Sequence, residues 1–134
     1  REHLLTFVVP NKAGETPLDY AAASVARGGR ATLVVLLDKQ TRQDFRRFAD
    51  AEDLDRPAGE AIARDRLIDL YSARVGGADT ETVLTDGIDS RDLARTAEAA
   101  HATGIVIPQS LAARSDLRTF VSGAQVPVLI APAA

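Results

Sequence analysis

The sequence predicts an α/β domain, a parallel sheet with helices on both faces, and three observations predict it. Nearly unbroken apolar runs at Leu4–Val9, Ala31–Leu37 and Ile105–Ile107 read as strands buried on both sides. Between them lie longer stretches with apolar residues at helical spacing, closed by glycines. Strands that alternate with helices pair in parallel, because each helix is the crossover that returns the chain to the same end of the sheet, and such crossovers are right-handed.

The first strand stops at Pro10-Asn11. Thr16 is placed to cap a helix whose first turn holds Pro17 and Asp19, with Leu18, Ala22 and Val25 on one face and Arg27-Gly28-Gly29 as its stop. The second strand ends at Asp38. From Lys39 to about Gly59 runs the longest polar connection, whose conformation the sequence leaves open. Phe45 and Phe48 fit a short helix within it, and Ala61, Ile62, Asp65, Ile68 and Tyr71 fit a longer one ending at Gly76-Gly77, so the second helix is expected in two pieces. Thr80–Thr85 alternates polar and apolar side chains, as a strand with one wet face does, and Asp86-Gly87 ends it. Ser90 is expected to cap a helix carrying Leu93, Ala97 and Ala100, with Gly104 as its stop. Ser115 starts the last helix, with Leu117, Phe120 and Val121 inward and Gly123 at its end, and the final strand is Val126–Ile130.

The half-polar third strand and the fifth, with Pro127 unable to donate to a central ladder, belong at the edges. A five-stranded parallel sheet of order 3-2-1-4-5 satisfies both demands. That order reverses direction between strands one and four, so the crevice beyond Val9 and Ile107 is the expected ligand site.

Composition narrows the function. A chain of 134 residues has room for one domain, 1–134, burying roughly two thirds of its unfolded surface. A net charge of -3 offers no basic field for nucleic acid. No apolar run approaches the roughly 20 residues that span a bilayer, and the N-terminus lacks a signal-peptide pattern, so no membrane insertion is expected. The absence of cysteine excludes thiolate chemistry and suits the cytoplasm. The chain starts at Arg1 and contains no Met, which leaves open that it was cut from a longer polypeptide.

Four passages in this order and spacing resemble the universal stress protein family: Phe7-Val8-Val9-Pro10-Asn11, Leu33 to Asp38, Val83-Leu84-Thr85-Asp86-Gly87 with its helix, and Val126-Pro127-Val128-Leu129-Ile130. The likeness runs from Leu4 to Ala131. It implies a Rossmann-like, three-layer fold of the adenine nucleotide alpha hydrolase-like type. ATP-binding members of that family carry Gly-x2-Gly-x9-Gly-Ser/Thr after the fourth strand, where glycines let backbone N–H groups approach the phosphates. Here the stretch is Pro108-Gln109-Ser110-Leu111-Ala112-Ala113-Arg114-Ser115, without glycine. Losing two or three charge-assisted contacts of roughly 1.5–3 kcal/mol each weakens phosphate binding by at least about a hundredfold. The family's Asp after strand one is Asn11, which removes a charge-assisted contact to adenosine.

Candidate nucleotide- or anion-binding residues are Asn11, Lys12, Leu37, Pro108, Gln109, Ser110, Arg114 and Ser115. Arg114 and Ser115 make a plausible phosphate pair, although an N-cap serine beside a solvated arginine is the simpler reading. Lys12, Gln109 and Ser110 read more simply as solvated loop residues. His3 and His101 have no metal partner at i+4 spacing, and no metal site is expected. Ser110, His101 and Asp86 compose a catalytic triad only on paper, since no nucleophile elbow exposes the serine. The cluster Asp50, Glu52, Asp53 and Asp55 lacks calcium-loop spacing and reads as a mobile solvated loop.

The resemblance therefore implies a stress-response or regulatory domain that is not an enzyme, needs no cofactor, does not bind ATP tightly and acts as a homodimer. The expected interface is the last strand, with Val126, Val128, Leu129 and Ile130, an apolar edge that an antiparallel partner strand would cover. The alternatives are a sensor that binds an adenine nucleotide weakly, or another small anion, in a non-standard crevice, and a regulatory domain of a larger transporter or kinase. The protein partner and the stress are not written in the sequence.

Overall fold

β-branched and leucine-rich runs buried on two faces form the strands, and the segments between them coil where their apolar residues return every third or fourth position. The computed structural model describes residues 1–87, 90–114 and 117–133, with Ser90 described by its backbone alone. Five strands, β1 (His3–Val8), β2 (Arg30–Leu36), β3 (Thr80–Thr85), β4 (Gly104–Pro108) and β5 (Val128–Ala131), alternate with helices α1 (Pro17–Ala26), α2 (Lys39–Ala51), α3 (Arg56–Val75), α4 (Ser90–Ala100), α5 (Gln109–Ala112) and α6 (Arg118–Gly123). All pairings are parallel and the order is β3-β2-β1-β4-β5, as the sequence predicts.

The two-residue period of the strands divides the core in two. Leu5, Phe7, Val34, Leu36, Ile105 and Ile107 face one way, against Leu93 of α4, Leu111 of α5, and Leu117 and Phe120 at α6. Val8, Ala31, Leu33, Val35 and Leu37 face the other, against Leu18 and Ala21 of α1, Phe45 of α2, and Tyr71 and Val75 of α3. The result is three layers.

The polar connection after β2 is almost wholly helical. Asp38 caps α2 by accepting from the Thr41 backbone N–H at 2.9 Å, and Asp55 caps α3 in the same way through Ala58. The acidic cluster is thereby corrected from a solvated loop to a helix junction, in which Asp55 is a cap and Asp50 pairs with Arg56 at 3.3 Å. Gly59 packs so closely on α2 that a Cβ there would meet the Ala49 Cβ at 2.2 Å.

Several expected helix ends shift. Thr16 precedes α1 in helical rather than extended conformation, and its hydroxyl donates to the Ala13 carbonyl at 3.2 Å instead of capping the helix. The buried face of α1 is Leu18, Ala21 and Ser24; half-buried Val25 packs against that core as expected, whereas half-buried Ala22 is not part of it. Gly28 takes φ +89 as the expected stop. α4 ends at His101, not Gly104: His101 has φ 52, its N–H bonds to the Glu98 carbonyl and that of Ala102 to the Ala97 carbonyl, a Schellman pair. Gly104 instead opens β4, and β5 begins at Val128, after Pro127. The caps expected of the Ser90 and Ser115 side chains lie outside the described residues.

Candidate functional site

The strand order reverses between β1 and β4, and beyond the carboxyl ends of β1 to β4 lies a cavity of about 470 Å³. Val9 and Leu36 line it, Leu37 is its buried floor, and Leu111 enters from α5. Its polar lining is Asp38, Arg42, Asp86, Ser110 and Arg114.

The sequence builds this site through caps. Asp38 ends β2 and holds α2 through both the N–H and, at 2.6 Å, the hydroxyl of Thr41. That places Arg42, one helical turn later, over the cavity, where its guanidinium donates to the Asp86 carbonyl at 3.3 Å. Arg64 of α3 reaches the Asp86 carboxylate at 3.5 Å. Two arginines thus hold the turn after β3 across one side of the opening.

After β4 the chain winds directly into α5, which the sequence reading leaves as a loop. The Ala113 N–H bonds to the Gln109 carbonyl and that of Arg114 to the Leu111 carbonyl, so these amides are spent within the turn. Leu111 is 4% exposed and belongs to the core, which anchors the turn.

Of the residues expected at the site, the structure brings Leu37, Ser110 and Arg114 to the cavity. Asn11 and Lys12 are exposed and do not line it. The Asn11 side-chain oxygen accepts from the Gly14 N–H at 2.7 Å, and the Val9 N–H bonds to the Gly14 carbonyl, so the turn folds back upon β1. Pro108 is buried in the strand opposite Ala131, and Gln109 accepts from the Ala133 N–H at 3.4 Å. Ser115 lies outside the described residues. Asp38, Arg42 and Asp86 are the polar additions. The cap signal Asp38-x-x-Thr41 would have located Arg42 by extending α2 through the polar stretch.

Other candidates sit elsewhere. Ser110 and Asp86 line this cavity, whereas His101 lines a different one between α4 and α6, at the opposite end of five-residue β4 and so roughly 16 Å away. His3 is buried with a ring nitrogen 2.7 Å from the Thr32 hydroxyl, and burial, then the nearby Arg30 charge, hold its pKa below the ordinary value. Burial pushes the Tyr71 hydroxyl above its usual range, and hydrogen bonding and charge at Glu15 add to that. No group of three ligating side chains suited to a metal occurs among the described residues, and no described helix is long and apolar enough to cross a membrane.

The edge strand β5 leaves Leu129 and Ile130 exposed, one on each face of the sheet, with Val126 and Val128 half-buried. Exposed Tyr20 of α1 lines a shallow cavity of about 370 Å³ beside Leu129.

Solved structures share this architecture. A universal stress protein family member from Burkholderia pseudomallei superposes with a TM-score of 0.62 at 19% identity, over 98% of this chain and 96% of that one. The universal stress protein from Archaeoglobus fulgidus in complex with dAMP gives 0.59 at 15% identity, over 97% of each chain. A universal stress protein in complex with cAMP gives 0.56 at 15% identity, over 98% of each. No family model matches the chain, and no curated protein matches it in sequence. The fold is that of the universal stress proteins.

Proposed function

We propose that the chain is a universal stress protein-like stress-response domain that does not bind ATP tightly and acts through homodimerisation and protein contacts. The observation that carries this reading is the turn after β4. Where a phosphate-binding loop would present open amides, Gln109–Ala112 coils into α5 and buries Leu111. Opening that turn would expose a core leucine, at a cost of about 1.5–3 kcal/mol before any phosphate is held. The exposed apolar pair Leu129 and Ile130 on an edge strand supports association through β5. The absence of cysteine suits a cytoplasmic setting, and the separation of Ser110 from His101 supports a regulatory rather than catalytic role.

A second reading, a sensor of a small anion or an adenine nucleotide, is favoured by the two arginines that line the crevice, Arg42 and Arg114. Isothermal titration calorimetry with ATP, AMP and cyclic AMP, beside light scattering, tests both. A dimer with no ATP heat at about 1 mM supports the first reading. Micromolar or tighter ATP binding overturns it, and AMP or cyclic AMP binding that Arg42→Ala removes establishes the second.

A further inference from the structure

A cavity of about 600 Å³ lies away from the crevice, on the sheet face between α4 and α6, within the range of small-molecule sites. Its floor is Ile105 and the Phe120 ring. The walls are small: Ala94, Ala97 and Ala102 on one side, Gly123 and Ala124 on the other. One turn from Ala97, Leu93 fills the same interface and is fully buried, so the gap opens where α4 changes from leucine to alanine. At the mouth stand Glu98 and His101, and Glu98 carries the only fixed charge among the lining residues.

His101 supplies a separate observation. It occupies the left-handed position of the Schellman pair, where glycine is the unstrained choice, and a residue with a Cβ costs about 1–2 kcal/mol there. That strain falls on a side chain lining the cavity, and strain of this kind collects at ligand sites.

We infer that this cavity binds a small amphipathic amine, its apolar body on Ile105 and Phe120 and its ammonium on Glu98, with His101 closing the mouth. An apolar floor with a single carboxylate at the rim selects a cation with a greasy body over a neutral or anionic analogue, because only the cation gains a charge-assisted bond. The site is separate from the crevice and borders the β5 edge only at Val126.

Tryptamine, indole and indole-3-acetate share one ring system and differ in head charge, and their titration into the full chain, read by calorimetry and amide shifts, tests the assignment. Tryptamine binds most tightly. Glu98→Gln weakens tryptamine about tenfold and leaves indole unchanged. Ala94→Phe, at an exposed position, removes all binding while the thermal transition stays in place. His101→Gly raises the melting temperature yet weakens tryptamine. The inference is overturned if tryptamine does not saturate at about 5 mM, if Ala94→Phe leaves binding intact, or if indole-3-acetate binds as tightly as tryptamine. It is equally overturned if Ala94→Phe converts a dimer to monomer, since the groove would then be an interface between copies.

Discussion

The two faces of the sheet are closed by different means. On the side of α1 and α3, helices of 10 and 20 residues pack Leu18, Tyr71 and Val75 onto β1 and β2, and α2 is locked to α3 by Gly59 on Ala49, the Arg56–Asp50 pair and the Arg66 guanidinium 4.8 Å from the Phe48 ring centroid. On the other side α5 and α6 have four and six residues, and the interface of α4 with α6 contains a cavity. Helices this short contribute little by propensity and depend on single anchors such as Leu111, Leu117 and Phe120. The comparison teaches that the face covered by α1, α2 and α3 is closed by helix-on-helix packing, whereas the face covered by α4, α5 and α6 leaves a cavity between two of its helices. Regions with fewer buried contacts open more readily.

The most damaging test falls on the packed side. Tyr71→Ala is expected to cost about 3–5 kcal/mol in denaturant unfolding, and Gly59→Leu should separate α2 from α3, seen as lost helical ellipticity. The comparison sharpens with a matched pair. Leu18→Ala and Leu117→Ala delete equally buried side chains, yet within the usual range of about 2–5 kcal/mol the first should lie at the upper end and the second at the lower. Equal losses would break the distinction. Removing a cap is smaller: Asp38→Ala should cost about 1–2 kcal/mol and free Arg42 from its place over the crevice. His101→Gly should gain about 1 kcal/mol by relieving the left-handed strain.

The smallest effect is a pH dependence. The folded-state pKa of His3 is depressed, so below about pH 6.5 the unfolded chain takes up a proton that the folded chain resists. Stability therefore declines as pH falls from that value toward the folded pKa, and this component is flat above it. His3→Gln should remove that slope from a series of urea melts, and an unchanged slope would assign it to other groups.

The strands and their order are legible in the sequence because β1, β2 and β4 are buried on both faces, which leaves apolar runs, and because half-polar β3 and Pro127 mark the edges. The place of the crevice follows from that order. The helix junctions are less legible. The acidic run from Asp50 to Asp55 reads as a loop although Asp55 is a helix cap and Asp50 belongs to α2, and Gly104 competes with His101 as a stop because nothing local announces a histidine at positive φ. At the crevice, Leu37, Ser110 and Arg114 are reached from strand ends alone. Asn11 is not, because its amide oxygen serves its own turn, and Arg42 depends on how far α2 extends into a polar stretch.

The pairing of β1 with β4 brings Leu4 opposite Gly104, a hundred residues later in the chain, whereas β1, β2 and β3 lie together within the first 85 residues. During synthesis the first three strands can therefore assemble while one side of β1 still waits for its neighbour. For that interval the nascent chain carries a bare central ladder of apolar residues, the kind of surface that chaperones engage. The segments from Gly104 onward, synthesised after the first three strands, are then the ones that seal the sheet.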